Sequence, residues 1–349
     1  MYRETLLGGQ PPACAAATFS ICFLWAASLG VLFGLSANAM AAPLQPFRSP
    51  NLNPFLMGAG LPPVETPFLV DGRTDAAYLQ LDVINNSVAR EQDGEAVIVD
   101  GETYRTVLGL RRRVAKRAEL GIDIPWIAHS PGFLDNLIEG WHRFFGLSNS
   151  ERDMLGRGRL RYLYTRGSAV LAEVDQRDAG LGDVQLMAAW QFLESPDSAV
   201  TLRATVDLAT GDAEDLTGSD GTEAAVAVAF GDRTFLALPS MSAMANAGVL
   251  YTGSGTVLEA QQKDWVGFGG VFVGWAIGAR LALKAQLDLH TPVFATALRP
   301  LGAAGIQLTV GGQATLSDRV CLDLGIGENL HTGATPDVVF HFALTYRDW

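Results

Sequence analysis

The residues with chemical potential are few, and their spacing fits no common catalytic set. The five histidines are His129, His142, His290, His331 and His341. None forms the H-E-x-x-H pattern that sets two imidazoles on one helix face around a zinc ion. His290 and His341 fall on the polar side of alternating segments, near Asp288 and Asp323. Two readings stand for them: a metal or acid–base pair, or hydrogen-bonded wall residues. Cys321 has no C-x-x-C partner and reads as an inert thiol. Gly267, Gly269 and Gly270 lack the surrounding strand, turn and helix of a nucleotide fingerprint. There is no G-x-S-x-G nucleophile elbow.

Charge at every second residue is more informative. Arg105, Arg111 and Arg113 share one face of an alternating segment. The next segment puts Glu119 and Asp123 on the matching face, and a hairpin turning near Lys116 would set Arg113 opposite Glu119. Later segments carry Arg203 and Asp207, then Arg280, Lys284, Asp288 and His290, then Arg319 and Asp323, and finally His341 on their polar faces. All of these are expected to face a lumen. They could be ion pairs that hold a wall, or an arginine-lined passage for anionic solutes. No catalytic residue, cofactor or metal is expected.

Such faces need strands to carry them. Val200, Leu202, Ala204, Val206 and Leu208 alternate with Thr201, Arg203, Thr205 and Asp207. Leu281, Leu283, Ala285, Leu287 and Leu289 alternate with Ala282, Lys284, Gln286, Asp288 and His290. Successive strand side chains point to opposite faces, so each segment is a strand with one apolar face. Several run for about ten residues, the length a tilted strand needs to cross a bilayer, where soluble strands average about 5–6. About twelve such segments are expected, consistent with the even strand number of bacterial barrels. The final segment, with Phe340, Phe342, Leu344, Tyr346 and terminal Trp349, resembles the aromatic last strand of outer-membrane precursors.

Composition agrees. Of 349 residues, 48% are hydrophobic, 18% are charged and 38 are glycine. That excludes a disordered chain. Three cysteines exclude a disulfide scaffold, and a net charge of −12 argues against a general nucleic-acid binder. Residues 1–41 read as a secretory signal cleaved after Ala39 or Ala41, the alternative being a permanent membrane anchor. Residues 42–70 are Pro-rich and extended, either a tail before the barrel or a piece tucked into its mouth. Residues 71–349 form the barrel. Within it, Phe133–Phe145 is expected to be an amphipathic helix. Phe133, Leu137, Trp141 and Phe144 on its apolar side would face a membrane interface, plug the barrel mouth, or pack on the barrel's end.

Three stretches resemble a bacterial family, domain of unknown function family 3187. The first is Asp100-Gly101-Glu102-Thr103-Tyr104-Arg105. The second runs from His129-Ser130-Pro131-Gly132 through Trp141-His142-Arg143-Phe144-Phe145-Gly146. The third is Gly180-Leu181-Gly182-Asp183 with Ala209-Thr210-Gly211 and Leu216-Thr217-Gly218-Ser219. These last elements also resemble barrels of the phenol-degradation transporter type. Leu208-Ala209-Thr210-Gly211 stands where the family pattern has Leu-Pro-Thr-Gly. The resemblance implies a Gram-negative envelope location and a barrel fold, and carries over no substrate or site residue.

The expectation is therefore all-β: a transmembrane antiparallel β-barrel of about twelve strands with one amphipathic helix inserted in a connection. Its role would be passive passage of small solutes, or envelope structure. Its partners would be outer-membrane lipid, the barrel-assembly machinery through the last strand, and a small solute, with no nucleic acid. A lipid-modifying outer-membrane enzyme and a soluble periplasmic β protein are the alternatives. Counting back from a periplasmic last strand makes Thr210–Thr222 extracellular and the helix periplasmic.

Overall fold

The computed structural model describes residues 43–349 except 71–74, 136–137, 141–157, 254, 331–332 and 348–349. The expected leader, residues 1–41, lies outside the described residues. The strands are β1 (Ala76–Gln92), β2 (Glu95–Ala115), β3 (Ala118–Ser130), β4 (Arg161–Arg166), β5 (Ala169–Val174), β6 (Asp178–Leu181), β7 (Val184–Glu194), β8 (Ser198–Leu208), β9 (Glu223–Asp232), β10 (Met241–Tyr251), β11 (Trp265–Ala276), β12 (Leu281–His290), β13 (Gly305–Ser317), β14 (Val320–Asn329) and β15 (Val338–Tyr346).

Twelve of them close a ring. Neighbours pair antiparallel from β1 to β3 and from β7 to β15, β3 pairs with β7, and β1 pairs with β15. Closure leaves no edge in the wall, which is what lets a sheet sit in hydrocarbon. The three short strands are additions: β4 and β5 extend the β1–β2 hairpin, and β6 continues the line of β7 along the upper part of β3.

Tight connections cluster at one end of the barrel, 116–117 between β2 and β3, 195–197 between β7 and β8, and 318–319 between β13 and β14, while the two-residue turn 93–94 of the long β1–β2 hairpin lies at the other. The connections 209–222, 252–264 and 291–304 cluster at that second end, so we call the two the turn end and the loop end. Ser130 ends β3 at the loop end, because β3 runs antiparallel to β7 and β7 begins there. The segment after Ser130 therefore shares its end with 209–222. This corrects the expectation that the helix and Thr210–Thr222 lie at opposite ends. Only β7 and β8 of the wall lie between the two connections, because β4–β6 are not wall strands.

The described part of that helix covers Asp135 and 138–140. It packs on the outside of the wall: Leu134 and Ile138 bury against Val338, with Val83, Ile326 and Phe340 beside them. The backbone N–H groups of Phe133 and Leu134 donate to Glu102 Oε1 at 2.9 and 2.6 Å. The Phe133 side chain is 74% exposed. Leu137, Trp141 and Phe144 lie outside the described residues.

The outward face is apolar and exposed, with Leu79, Leu108, Leu186, Leu202, Val226, Val271 and Leu344 along its belt. Aromatic side chains mark both rims. Trp190, Phe230, Trp275 and Tyr346 stand near the turn end, and Trp126, Tyr251 and Trp265 near the loop end. Trp265 and Trp275 lie ten residue steps apart on β11. At ~3.4 Å per residue and ~40° tilt that spans about 26 Å, the height of an outer-membrane apolar band. No helix among the described residues is long and apolar enough to cross a membrane.

Candidate functional site

The lumen is filled by the chain's own N-terminal segment. Residues 43–70 contribute no strand. They run from the turn end to the loop end and back. Pro43 accepts from Arg347 Nη2 at 3.2 Å beside the last strand. Asn51 reaches His290 at the loop end of β12. The one-turn helix Pro54–Met57 and Gly60, held at φ +67°, reverse the direction. Val70 N–H then donates to Glu119 at 2.7 Å, back at the turn end, just before β1 begins.

Why this stretch can lie buried follows from its composition. Pro43, Pro46, Pro50, Pro54, Pro62, Pro63 and Pro67 have no N–H to satisfy. The remaining backbone groups must find partners when taken from water, and the wall supplies side chains for them. Gln286 accepts from Phe47 N–H at 2.8 Å and donates to its carbonyl at 2.9 Å. Gln80 donates to Arg48 O at 2.9 Å and Gln307 to Ser49 O at 3.1 Å. On the return run Asn246 donates to Pro63 O at 3.2 Å, Arg203 to Thr66 O, and Gln191 and Thr201 to Pro67 O at 3.2 and 2.6 Å. Amides on inward strand positions thus replace a missing neighbouring strand.

Apolar residues fix the plug further. Phe47, Leu52, Phe55, Leu56 and Val64 are all buried, each worth about 1.5–3 kcal/mol relative to exposure. Phe55 and Leu56 join a core with Val97, Tyr162, Tyr164, Leu216, Leu258, Phe294 and Leu298, which seals the loop end. Phe47 sits between Lys284 Nζ, 4.0 Å from its ring centre, and the His341 ring, 5.5 Å away edge-on. Two small cavities lie in the lumen among the described residues. One of about 40 Å³ is lined by Asn51, Leu52, Gly60, Arg105, Asp183 and Asp207. A second, of about 20 Å³, lies beside Pro62, Glu65 and Phe268. Such spaces hold a few waters.

At mid-lumen the plug carries one carboxylate into a group of arginines. Glu65 lies 3.2 Å from Arg111 Nη2, 3.7 Å from Arg203 Nη1 and 3.7 Å from its own segment's Arg48 Nε. Arg111 is held from the wall by Asp123, at 2.8 and 3.2 Å, and by the Tyr78 hydroxyl at 2.9 Å. Arg203 is 3.7 Å from Glu119.

The expected lumen residues fall into separate groups. Arg105 pairs with Asp82 at 3.3 Å, and His341 bonds the same Asp82 at 2.7 Å. Lys284 pairs with Asp323 at 2.5 Å. Asp288 takes Gln286, and Asp207 takes Gln185 at 3.0 Å. Arg113 stands across from Glu119 in the β2–β3 ladder and donates to Val70 O. His290 goes to Asn51 at 2.8 Å, so it is not joined with His341. Among the described residues no cluster of three metal-ligating side chains forms. Arg280 and Arg319 do not line the lumen. Both are exposed in turns, because the ladder begins only at Leu281 and Val320.

Sequence reasoning missed Glu65 and the amides Gln80, Gln191, Asn246, Gln286 and Gln307. A signal existed: Glu65 is the one acidic residue in 43–70, and the amides occupy polar-face positions of strands.

The loop end explains one motif. Asp183, between β6 and β7, accepts three backbone N–H bonds: Thr210 at 3.0 Å, Gly211 at 2.8 Å and Ser219 at 2.7 Å. A side chain at Gly211 would run into Gly218, and one at Gly218 into Asp183. The Gly-Leu-Gly-Asp, Thr-Gly and Gly-Ser elements are thus one staple that folds 209–222 down onto the plug at Gly58.

A family model described as a protein of unknown function (DUF3187) matches residues 25–348. The chain belongs to this family. No curated protein matches it. Among solved structures it is similar to the COG4313 outer membrane channel from Pseudomonas putida F1, at TM-score 0.50 and 11% identity, over 78% of this chain and 94% of that one. It is also similar to the NanC porin, at TM-score 0.44 and 9% identity over 77% and 99%. The toluene transporter TbuX of Ralstonia pickettii matches at TM-score 0.41 and 13% identity over 91% and 98%. The first of these likenesses shows that this chain has the fold of an outer-membrane β-barrel.

Proposed function

We propose that the protein is an outer-membrane channel for passive passage of small solutes, held shut by its own residues 43–70. One observation carries this. The plug is bound by wall side chains and adds no strand to the ladder, so it can leave without breaking the wall. The likeness to channels supports the same reading. Short turns face the periplasm and long loops the exterior in such barrels, so the plug's start, the last strand and β1 would lie on the periplasmic side. Residues 1–41 would be the export signal. The last strand would present the barrel to the assembly machinery, and the exposed belt would meet outer-membrane lipid. A lipid-modifying enzyme would need histidine at the lipid face, whereas His290 and His341 point inward and are bonded. A soluble protein would not expose an aromatic-rimmed apolar belt.

Planar-bilayer recording tests the proposal. Wild-type protein is expected to open rarely, and Glu65→Ala to open far more often. Silence from both, in pure and folded protein, would overturn it.

A further inference from the structure

The arginines around Glu65 are built into the wall, and the plug uses only part of their capacity. Arg111 and Arg203 are 3% and 7% exposed. The Nε groups of both are buried without a hydrogen-bond partner. Glu65 makes one true hydrogen bond there, at 3.2 Å, and two looser ion pairs at 3.7 Å. Arginine forks bind a carboxylate best through two parallel short bonds, so a free carboxylate can do better than the tethered one. If the plug withdrew, Glu65 and Arg48 would leave together, and Glu119 would lose Val70. Arg203 would keep only its 3.7 Å contact to Glu119, leaving its guanidinium open to a new anionic partner.

Beside this carboxylate lies the second cavity. Its walls include Met187, Ala225, Ala227, Ala229 and Phe268, and Pro62 and Pro63 of the plug reach into it. The plug therefore presents an apolar pair followed two residues later by a carboxylate to a matching apolar and cationic surface.

We propose that Arg111 and Arg203, with the apolar hollow beside them, form a lumen binding site for small apolar monocarboxylates, which Pro62–Glu65 occupies while the channel is shut. The site rests on the reading of 43–70 as a removable plug. The arginine pair takes the carboxylate by ion pairing and hydrogen bonding, and the hollow takes an aryl or short alkyl body. Such a solute competes with the plug, so its arrival favours opening.

The test uses full-length Glu65→Ala in detergent, with benzoate, acetate, chloride and benzyl alcohol as probes at matched ionic strength. The readout is the midpoint of heat-modifiable gel migration. Benzoate should raise the midpoint at about a tenfold lower concentration than acetate, with chloride and benzyl alcohol inactive, and Arg203→Leu in the same background should abolish the shift. Benzoate acting no better than chloride, or no better than benzyl alcohol, would overturn the proposal. Should Glu65→Ala fail to fold, hydrogen exchange of the wild-type Leu61, Val64, Glu65 and Thr66 amides replaces it. Benzoate should speed that exchange and benzyl alcohol should not, and equal exchange with the two probes overturns the site. Benzoate binding with a silent bilayer would sink the passage reading alone. Conductance without benzoate preference would sink the site alone.

Discussion

Lys284 shows how much a single lumen residue can depend on its partner. Its side chain is fully buried and its ion pair to Asp323 is 2.5 Å long. Removing Asp323 leaves a buried ammonium unpaired, which typically costs about 3–5 kcal/mol. Asp323→Ala should therefore lower the urea midpoint of heat-modifiable migration markedly, while Lys284→Met with Asp323→Leu recovers most of the loss. Gln286 serves the plug instead. Gln286→Leu strands the N–H and carbonyl of Phe47, at about 1–3 kcal/mol for each unsatisfied group. Exchange of the Gln45, Phe47, Arg48 and Ser49 amides should rise while the barrel's melting stays close to wild type. Unchanged exchange would mean that Gln286 does not hold the plug. Inward positions were legible as polar steps of a period-two pattern. Where that pattern stops was not, and so Arg280 and Arg319 have the right parity but sit in turns. Parity continues through a turn in the sequence, whereas the hydrogen-bond ladder does not.

Among the elements, 209–222 depends most visibly on one side chain. Asp183→Ala removes three acceptor bonds at once. The Thr210, Gly211 and Ser219 amides should then lose exchange protection with the strands intact. Burial pushes the Asp183 carboxyl above its ordinary value, although the N–H donors of Gly211, Ser219 and Thr210 pull it down. The folded protein thus binds this proton more tightly than the unfolded chain. The stability linked to it is full below the ordinary carboxylate value and is lost as pH rises through the raised one. Asp183→Asn should flatten that limb of the stability–pH curve; a curve identical to wild type would reject the assignment. The long alternating strands were legible because each has one lipid-facing and one inward face. The helix was legible as amphipathic, yet its site was not. Leu134 and Ile138 fit any apolar surface, and only the fold shows that Val338 and Phe340 provide it.

For the whole molecule the prediction is physical. A closed twelve-strand wall with aromatic rims at both ends should stay in membranes through carbonate and urea extraction. It should also run faster on gels unheated than boiled, because the ring resists detergent until heated. Release by carbonate would contradict a lipid-embedded belt.

Alternation, strand length and strand number were set by the sequence alone, since they follow from which residues tolerate lipid and which do not. The tertiary structure decided what fills the ring. An extended proline-rich stretch carries no period that points to a partner. Its place depends on amides from β1, β7, β10, β12 and β13, far apart in the chain, converging on one backbone. That convergence exists only once the ring has closed.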